Sequence, residues 1–195
     1  MRIFLFFLGI TLFLSGCASA PLREKDFSSE SGLLSEKDEV LFGNYVDAYI
    51  TNEYSLLENK EINEKVSLLG ERLALNSHRK NLKFTFRVLN EHQVNAFAGP
   101  GGYIYITRGL LDKLKTKDQL VSVLAHEIAH ICCRHQLKAL YNAQTAQNMI
   151  ILGSILSTAA GVYTGSEAVS DLGNMVSEMI TIMVYQGYSR SFEAE

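Results

Sequence analysis

Two histidines and a glutamate stand together in the second half of the chain, as His126-Glu127-Ile128-Ala129-His130. On a helix, residues four apart differ by about 40° in azimuth and one turn in height, so both imidazoles can reach one cation. Imidazole is a good zinc ligand when neutral, as both rings would be at pH 7. Glu127 is offset by about 100° from His126, so it can face the open side of the metal without binding it. There it can take a proton from water acidified by the metal and deliver it to a leaving amine. The arrangement predicts the active-site helix of a zinc metallopeptidase. The plainer alternative is a pair of core histidines with an accidental glutamate. By chance the pattern arises in about one chain in a hundred of this length, and burying such groups unpartnered in an apolar helix costs several kcal/mol. Both considerations favour the metal site.

Two histidines and a water leave zinc one ligand short. A metzincin arrangement would need glycine at position 133 and histidine at position 136, where the chain has Cys133 and Gln136. A thermolysin-like arrangement would place a glutamate some twenty residues on, yet no acid lies between His130 and Glu167. The third ligand is therefore expected from Glu167, Asp171, Glu178, Glu193 or Glu195. Cys133 is a lesser candidate, since seven residues return it to the azimuth of His126.

The helix carrying these groups has a strong start. Thr116 lies three residues before Gln119, a capping-box spacing ahead of Leu120, Val121, Val123 and Leu124. The pattern predicts one helix through the histidines to about Ala146. Upstream, Val40, Leu41, Tyr45, Val46 and Tyr49 predict a helix from Ser35, and Ile62, Val66, Leu69 and Leu73 predict another over Asn59 to Leu75. Phe84, Phe86 and Val88 alternate as in a strand. Gly99-Pro100-Gly101-Gly102 breaks the chain, Tyr103 to Thr107 forms a second β-rich run, and Arg108 to Leu114 is a short helix. Pro-Gly-Gly lets backbone turn sharply and approach closely. The run after it is either an edge strand for an extended substrate or a plain supporting hairpin. The apolar stretch Ile150 to Tyr163 is short for a membrane span and is expected as core or loop, with contact to the membrane as the alternative. A last helix is expected over Glu167 to Tyr188.

With 195 residues, 47% hydrophobic and 20% charged, the composition fits one folded domain. A net charge of −3 offers no basic footprint, so no nucleic-acid partner is expected. Arg2 and the apolar run Ile3 to Leu14 read as a secretory segment. Leu14-Ser15-Gly16-Cys17 resembles a bacterial lipobox, which implies cleavage before Cys17 and lipid attachment there. Ala18 is not aspartate, which implies an outer-membrane lipoprotein facing the periplasm in a host with two membranes. Residues 1–16 are then signal peptide, 17–34 a tether, and 35–195 the domain. Cys132 and Cys133 are neighbours, and adjacent helical cysteines cannot reach disulfide geometry undistorted.

Val94 to Ala98 followed by Pro100 to Leu111, the helix Leu120 to His130 with Arg134-His135, and Ser189 to Glu195 together resemble metallopeptidase family forty-eight. These gluzincins include the HtpX, CAAX prenyl protease and BepA- and Oma-type proteases. The resemblance covers roughly residues 35 to 195. It implies an α+β, mainly helical, zincin-like domain with a small β-sheet and a zinc-binding active-site helix. It further implies one Zn2+ per chain held by His126, His130 and Glu193, with Glu127 catalytic. It draws Asn95, Gly101, Gly102 and Tyr103 towards substrate binding. The aspartate that follows the third ligand in the family would fall at position 197, so the domain is expected to be C-terminally incomplete. For Arg190 a surface salt bridge and a role near the zinc remain equally open. The expected function is an endopeptidase acting on misfolded envelope proteins. The alternative is a catalytically impaired, chaperone-like binding lipoprotein in outer-membrane protein assembly.

Overall fold

The computed structural model describes residues 34–142 and Ser177. Helix α1 (Glu36–Glu53) starts at Ser35, whose hydroxyl accepts from the backbone N–H of Asp38 at 3.2 Å. Helix α2 (Lys60–Ala74) starts at Asn59, whose side chain accepts from Ile62 N–H at 3.1 Å. Strands β1 (Thr85–Leu89), β2 (Ala96–Ala98) and β3 (Tyr103–Thr107) follow, with a 3-10 turn over Pro100–Gly102. Helices α3 (Arg108–Leu111), α4 (Lys117–Cys132) and α5 (His135–Asn142) complete the described order. The result is α+β and mainly helical, as expected.

The sheet order is β1-β3-β2, with β1 parallel and β2 antiparallel to β3. Tyr103–Thr107 is thus the central strand, which corrects its reading as an edge. Its apolar residues on both faces carry the reason: Ile104, Tyr105 and Ile106 are all fully buried, and a strand covered on both sides reads as a near-continuous apolar run. The two-residue period divides the core accordingly. Phe97, Tyr105 and Leu89 pack with Phe42, Val46 and Ile50 of α1. Phe86, Val88, Ala96, Ala98, Ile104 and Ile106 pack with Val66 of α2 and Leu124, Ile128 and Ile131 of α4.

Helix α1 buries Glu39, Phe42, Gly43, Val46, Asp47 and Ile50, a stripe that includes two acids. Asp47 accepts from Arg87 at 2.8 and 3.1 Å and from the Tyr105 hydroxyl at 3.0 Å. Glu39 accepts from Arg79 at 2.9 and 3.0 Å and from Gly101 N–H at 3.3 Å. Its Oε2 also lies 3.0 Å from Arg134 Nε, an ion pair without hydrogen-bond alignment.

The expected single helix through His126 to Ala146 is two helices. Helix α4 stops at Cys132, and Arg134 adopts φ 53°, a left-handed conformation uncommon for residues other than glycine. Pairing of Arg134 with Glu39 and donation from its guanidinium to Leu34 O hold that turn. Among the described residues no helix is long and apolar enough to cross a membrane. Ile150 to Tyr163 lies outside the described residues.

Candidate active site

Helix α4 begins with the expected capping box. Thr116 Oγ1 accepts from Gln119 N–H at 3.2 Å, and the Gln119 side chain accepts from Thr116 N–H at 3.2 Å. Leu124, Ile128 and Ile131 then anchor the helix to the sheet, each fully buried aliphatic side chain contributing about 1.5–3 kcal/mol. With that face fixed, Glu127 turns inward and is only 3% exposed, while His126 and His130 stay half-buried. The small side chains of Ala96 and Ala98 on the same sheet face let α4 lie close to β2.

The imidazoles converge as the spacing predicts. His126 Nε2 and His130 Nε2 are 3.0 Å apart, with the rings edge to face at a centroid distance of 4.6 Å. Two imidazole nitrogens on one tetrahedral zinc lie about 3.3 Å apart, given bonds of about 2.0–2.1 Å. These two donors therefore fit the metal. Burial first, and the neighbouring imidazoles of His126 and His135 second, push the His130 pKa down to about 4. The ring is neutral at pH 7, the form that binds metal.

Glu127 moves the other way. Burial raises its pKa to about 7, opposed by a hydrogen bond from the backbone of Ala98. A carboxylate poised there can both accept and release a proton near neutrality. Strand β2 supplies this contact, and it was not anticipated from sequence. Three residues with two alanines are too short and too weakly β-prone to register.

The expected substrate residues separate. Asn95 lies directly before β2, where its carbonyl accepts from Thr107 N–H at 3.0 Å and its own N–H donates to Thr107 Oγ1 at 3.0 Å. Gly101, Gly102 and Tyr103 are placed by packing. Gly101 has φ 73°, and a Cβ there would sit 3.0 Å from Val40 Cα; Gly102 has φ 95°, and a Cβ would meet Lys83 O at 2.3 Å. Tyr103 donates its hydroxyl to Asn44 at 2.9 Å and stacks on Tyr105, on the α1 face of the sheet. The opposite face carries α4.

Cys133 caps α4 through its backbone N–H to Ala129 O. His135, two residues on, meets His130 on the ring nitrogen that points away from His126. Among the described residues, no group of three or more His, Cys, Asp or Glu is arranged to hold a metal ion. Glu193, the other acids considered for the third position, Arg190 and Cys17 lie outside the described residues.

The model of the family described as "Peptidase family M48" matches residues 60–195. The chain is similar to the "Beta-barrel assembly-enhancing protease" of Yersinia pestis, at 30% identity over 146 residues, covering 73% of this chain and 30% of that protein. The protein of the same name from Escherichia coli is 29% identical over 146 residues, with the same coverage of each. The "Mitochondrial metalloendopeptidase OMA1" of Schizosaccharomyces pombe is 32% identical over 89 residues, covering 46% of this chain and 26% of that protein. The chain spans about a third or less of the length of these relatives.

Proposed function

The chain belongs to peptidase family M48, and from that premise we propose that it is a zinc-dependent metalloendopeptidase. The observation that carries the reading is the convergence of His126 and His130 through Nε2 at 3.0 Å beside a buried Glu127 whose pKa stands near 7. His126, His130 and Glu193 hold one zinc, which when bound supplies Lewis acidity at the scissile carbonyl and acidifies water. Glu127 takes the proton of the attacking water and passes it to the departing amine. The hydrogen bond from Ala98 holds its carboxylate in place for both transfers. The outer edge of β2, rather than Tyr103–Thr107, takes the extended peptide by strand addition. Asn95, at the head of β2, borders that edge, and the Pro100–Gly102 turn, packed against α1 and touching α4, closes the connection from β2 to β3.

Lipid on Cys17 anchors the chain in the outer membrane facing the periplasm, and its substrates are misfolded envelope proteins. The lipobox-like Leu14–Cys17 segment and relatives named as β-barrel assembly-enhancing proteases support that placement. A binding-only role has no need of a carboxylate kept chargeable near neutrality, so Glu127 favours the hydrolase.

The test is zinc content together with casein cleavage by the full chain. One zinc per chain is expected, with cleavage abolished by a chelator, restored by added zinc, and lost in Glu127→Gln while zinc is retained. Stoichiometric zinc on the unaltered chain with no cleavage of any unfolded protein would overturn the hydrolase in favour of the binding role.

A further inference from the structure

His130 is engaged at both ring nitrogens. Its Nε2 faces His126 Nε2 at 3.0 Å, and its Nδ1 faces His135 Nδ1 at 2.7 Å. The two nitrogens of an imidazole point to different sides of the ring, so His135 cannot join His126 and His130 around one cation. It stands behind His130 instead, edge to face, with ring centroids 4.8 Å apart. A neutral imidazole carries its hydrogen on one nitrogen only, and the hydrogen bond made by one nitrogen sets the role of the other.

We infer that His135 is a positioning residue for the metal site: its Nδ1 accepts the Nδ1–H of His130 and thereby fixes the His130 lone pair on Nε2, towards His126. This rests on the zinc reading above. Imidazole ligands of metals characteristically donate their second ring nitrogen to an acceptor that fixes tautomer and ring orientation. Carboxylates and backbone carbonyls are the usual acceptors, and here a second imidazole takes that place.

The backbone is shaped to deliver this contact. Had α4 continued, residue 135 would lie about 140° around the axis from His130 and about 7.5 Å further along it, out of reach of its ring. The left-handed turn at Arg134 redirects the chain and brings His135 back. Three contacts constrain that turn: Arg134 with Glu39, Arg134 with Leu34 O, and Arg79 with Ile131 O at 3.2 Å, one residue beyond His130. A non-glycine residue keeps such a backbone only where its surroundings over-determine it.

The experiment compares the full chain with His135→Phe, which keeps a ring but has no acceptor, and His135→Asn, which restores a carbonyl acceptor. Zinc affinity is read by competition with a chromophoric chelator, and the cobalt-substituted forms by their visible spectra. His135→Phe is expected to bind zinc about 10–100-fold more weakly, with an altered cobalt spectrum, and His135→Asn to recover most of the affinity. Zinc on the unaltered chain held equally tightly by a folded His135→Phe overturns this inference alone. Absence of zinc from the unaltered chain overturns the hydrolytic reading and this inference with it. If His135→Phe does not fold, nitrogen-15 NMR of the zinc-loaded unaltered chain decides. A protonated His130 Nδ1 facing a bare His135 Nδ1 supports the assignment, and a protonated His135 Nδ1 overturns it.

Discussion

Glu39 and Glu127 are the same residue type at nearly the same depth, 1% and 3% exposed, and the fold treats them oppositely. Glu39 is paired with the guanidiniums of Arg79 and Arg134 and takes a backbone N–H from Gly101. It joins α1, the segment after α2, the Pro-Gly-Gly turn and the end of α4. No described residue forms an ion pair with Glu127, whose carboxylate receives a hydrogen bond from the backbone of Ala98 and otherwise faces burial alone. A buried acid with two cations is a structural joint. A buried acid without one is held where its charge is costly, and that is what makes its proton exchangeable near pH 7.

Substitution by glutamine should separate the two most sharply. In Glu127→Gln, peptide hydrolysis should fall by about three orders of magnitude or more, or about 4 kcal/mol of barrier, with zinc content preserved and no loss of stability. In Glu39→Gln the loss should appear as stability, about 3–5 kcal/mol, because the buried guanidinium of Arg134 loses its counter-charge and that of Arg79 keeps only the more exposed Glu36. Denaturant titration of both variants beside a casein assay would show it. A Glu39→Gln protein of unaltered stability would break the contrast.

Next in size is a pH effect confined to Glu127. Its folded pKa, about 7, lies above the ordinary 4.5, so the folded chain binds the proton more tightly than the unfolded chain. Its contribution to stability is therefore complete below pH 4.5 and is lost as pH rises towards 7. In zinc-free protein, Glu127→Gln should match the unaltered chain near pH 4 and exceed it by about 3 kcal/mol above pH 7, at 1.36 kcal/mol per unit. His130 tilts both proteins the other way. Kept neutral down to about pH 4 against an ordinary 6.5, it costs both of them stability as pH falls through that window, so the difference between them isolates Glu127. Unfolding curves at five or six pH values would measure that difference, and a flat profile would deny Glu127 its raised pKa.

The two glutamates also divide what the sequence made legible. Glu127 could be set beside the histidines because a helix, a spacing of four and a capping box are local signals, whereas its contact with Ala98, 29 residues away, was not legible. Glu39 could not be placed, since its partners lie 40 and 95 residues away. One signal was present, an acid on the same α1 stripe as Phe42, Val46 and Ile50. The break at Arg134 was missed for the same reason. Arginine is a good helix former, so local preference favours continuation, and only the distant carboxylate and the Leu34 carbonyl decide otherwise. Strand order eluded pattern reading because β2 is three residues long. The unbroken apolar run of β3, set beside the alternation of β1, did hold the clue that β3 is central. The candidate site was legible as far as His126, Glu127 and His130, and its third ligand rests on the resemblance at Glu193.

The smallest effect tests whether the behaviour of Glu127 comes from its immediate surroundings or from the helix as a whole. Thr116→Ala removes the side-chain acceptor at the start of α4 and should cost about 1 kcal/mol. Position 116 is ten residues before His126, about 15 Å along the axis, beyond the range at which separate substitutions ordinarily couple. The double variant Thr116→Ala, Glu127→Gln should therefore show the sum of the single effects within about 0.5 kcal/mol at pH 4 and at pH 8. Additivity at both values would locate the cause of the raised pKa at the packing of Glu127 against β2. A cap that mattered only at pH 8, where Glu127 is charged, would instead mean that the field at the helix start reaches the carboxylate, and the contrast with Glu39 would lose its local explanation.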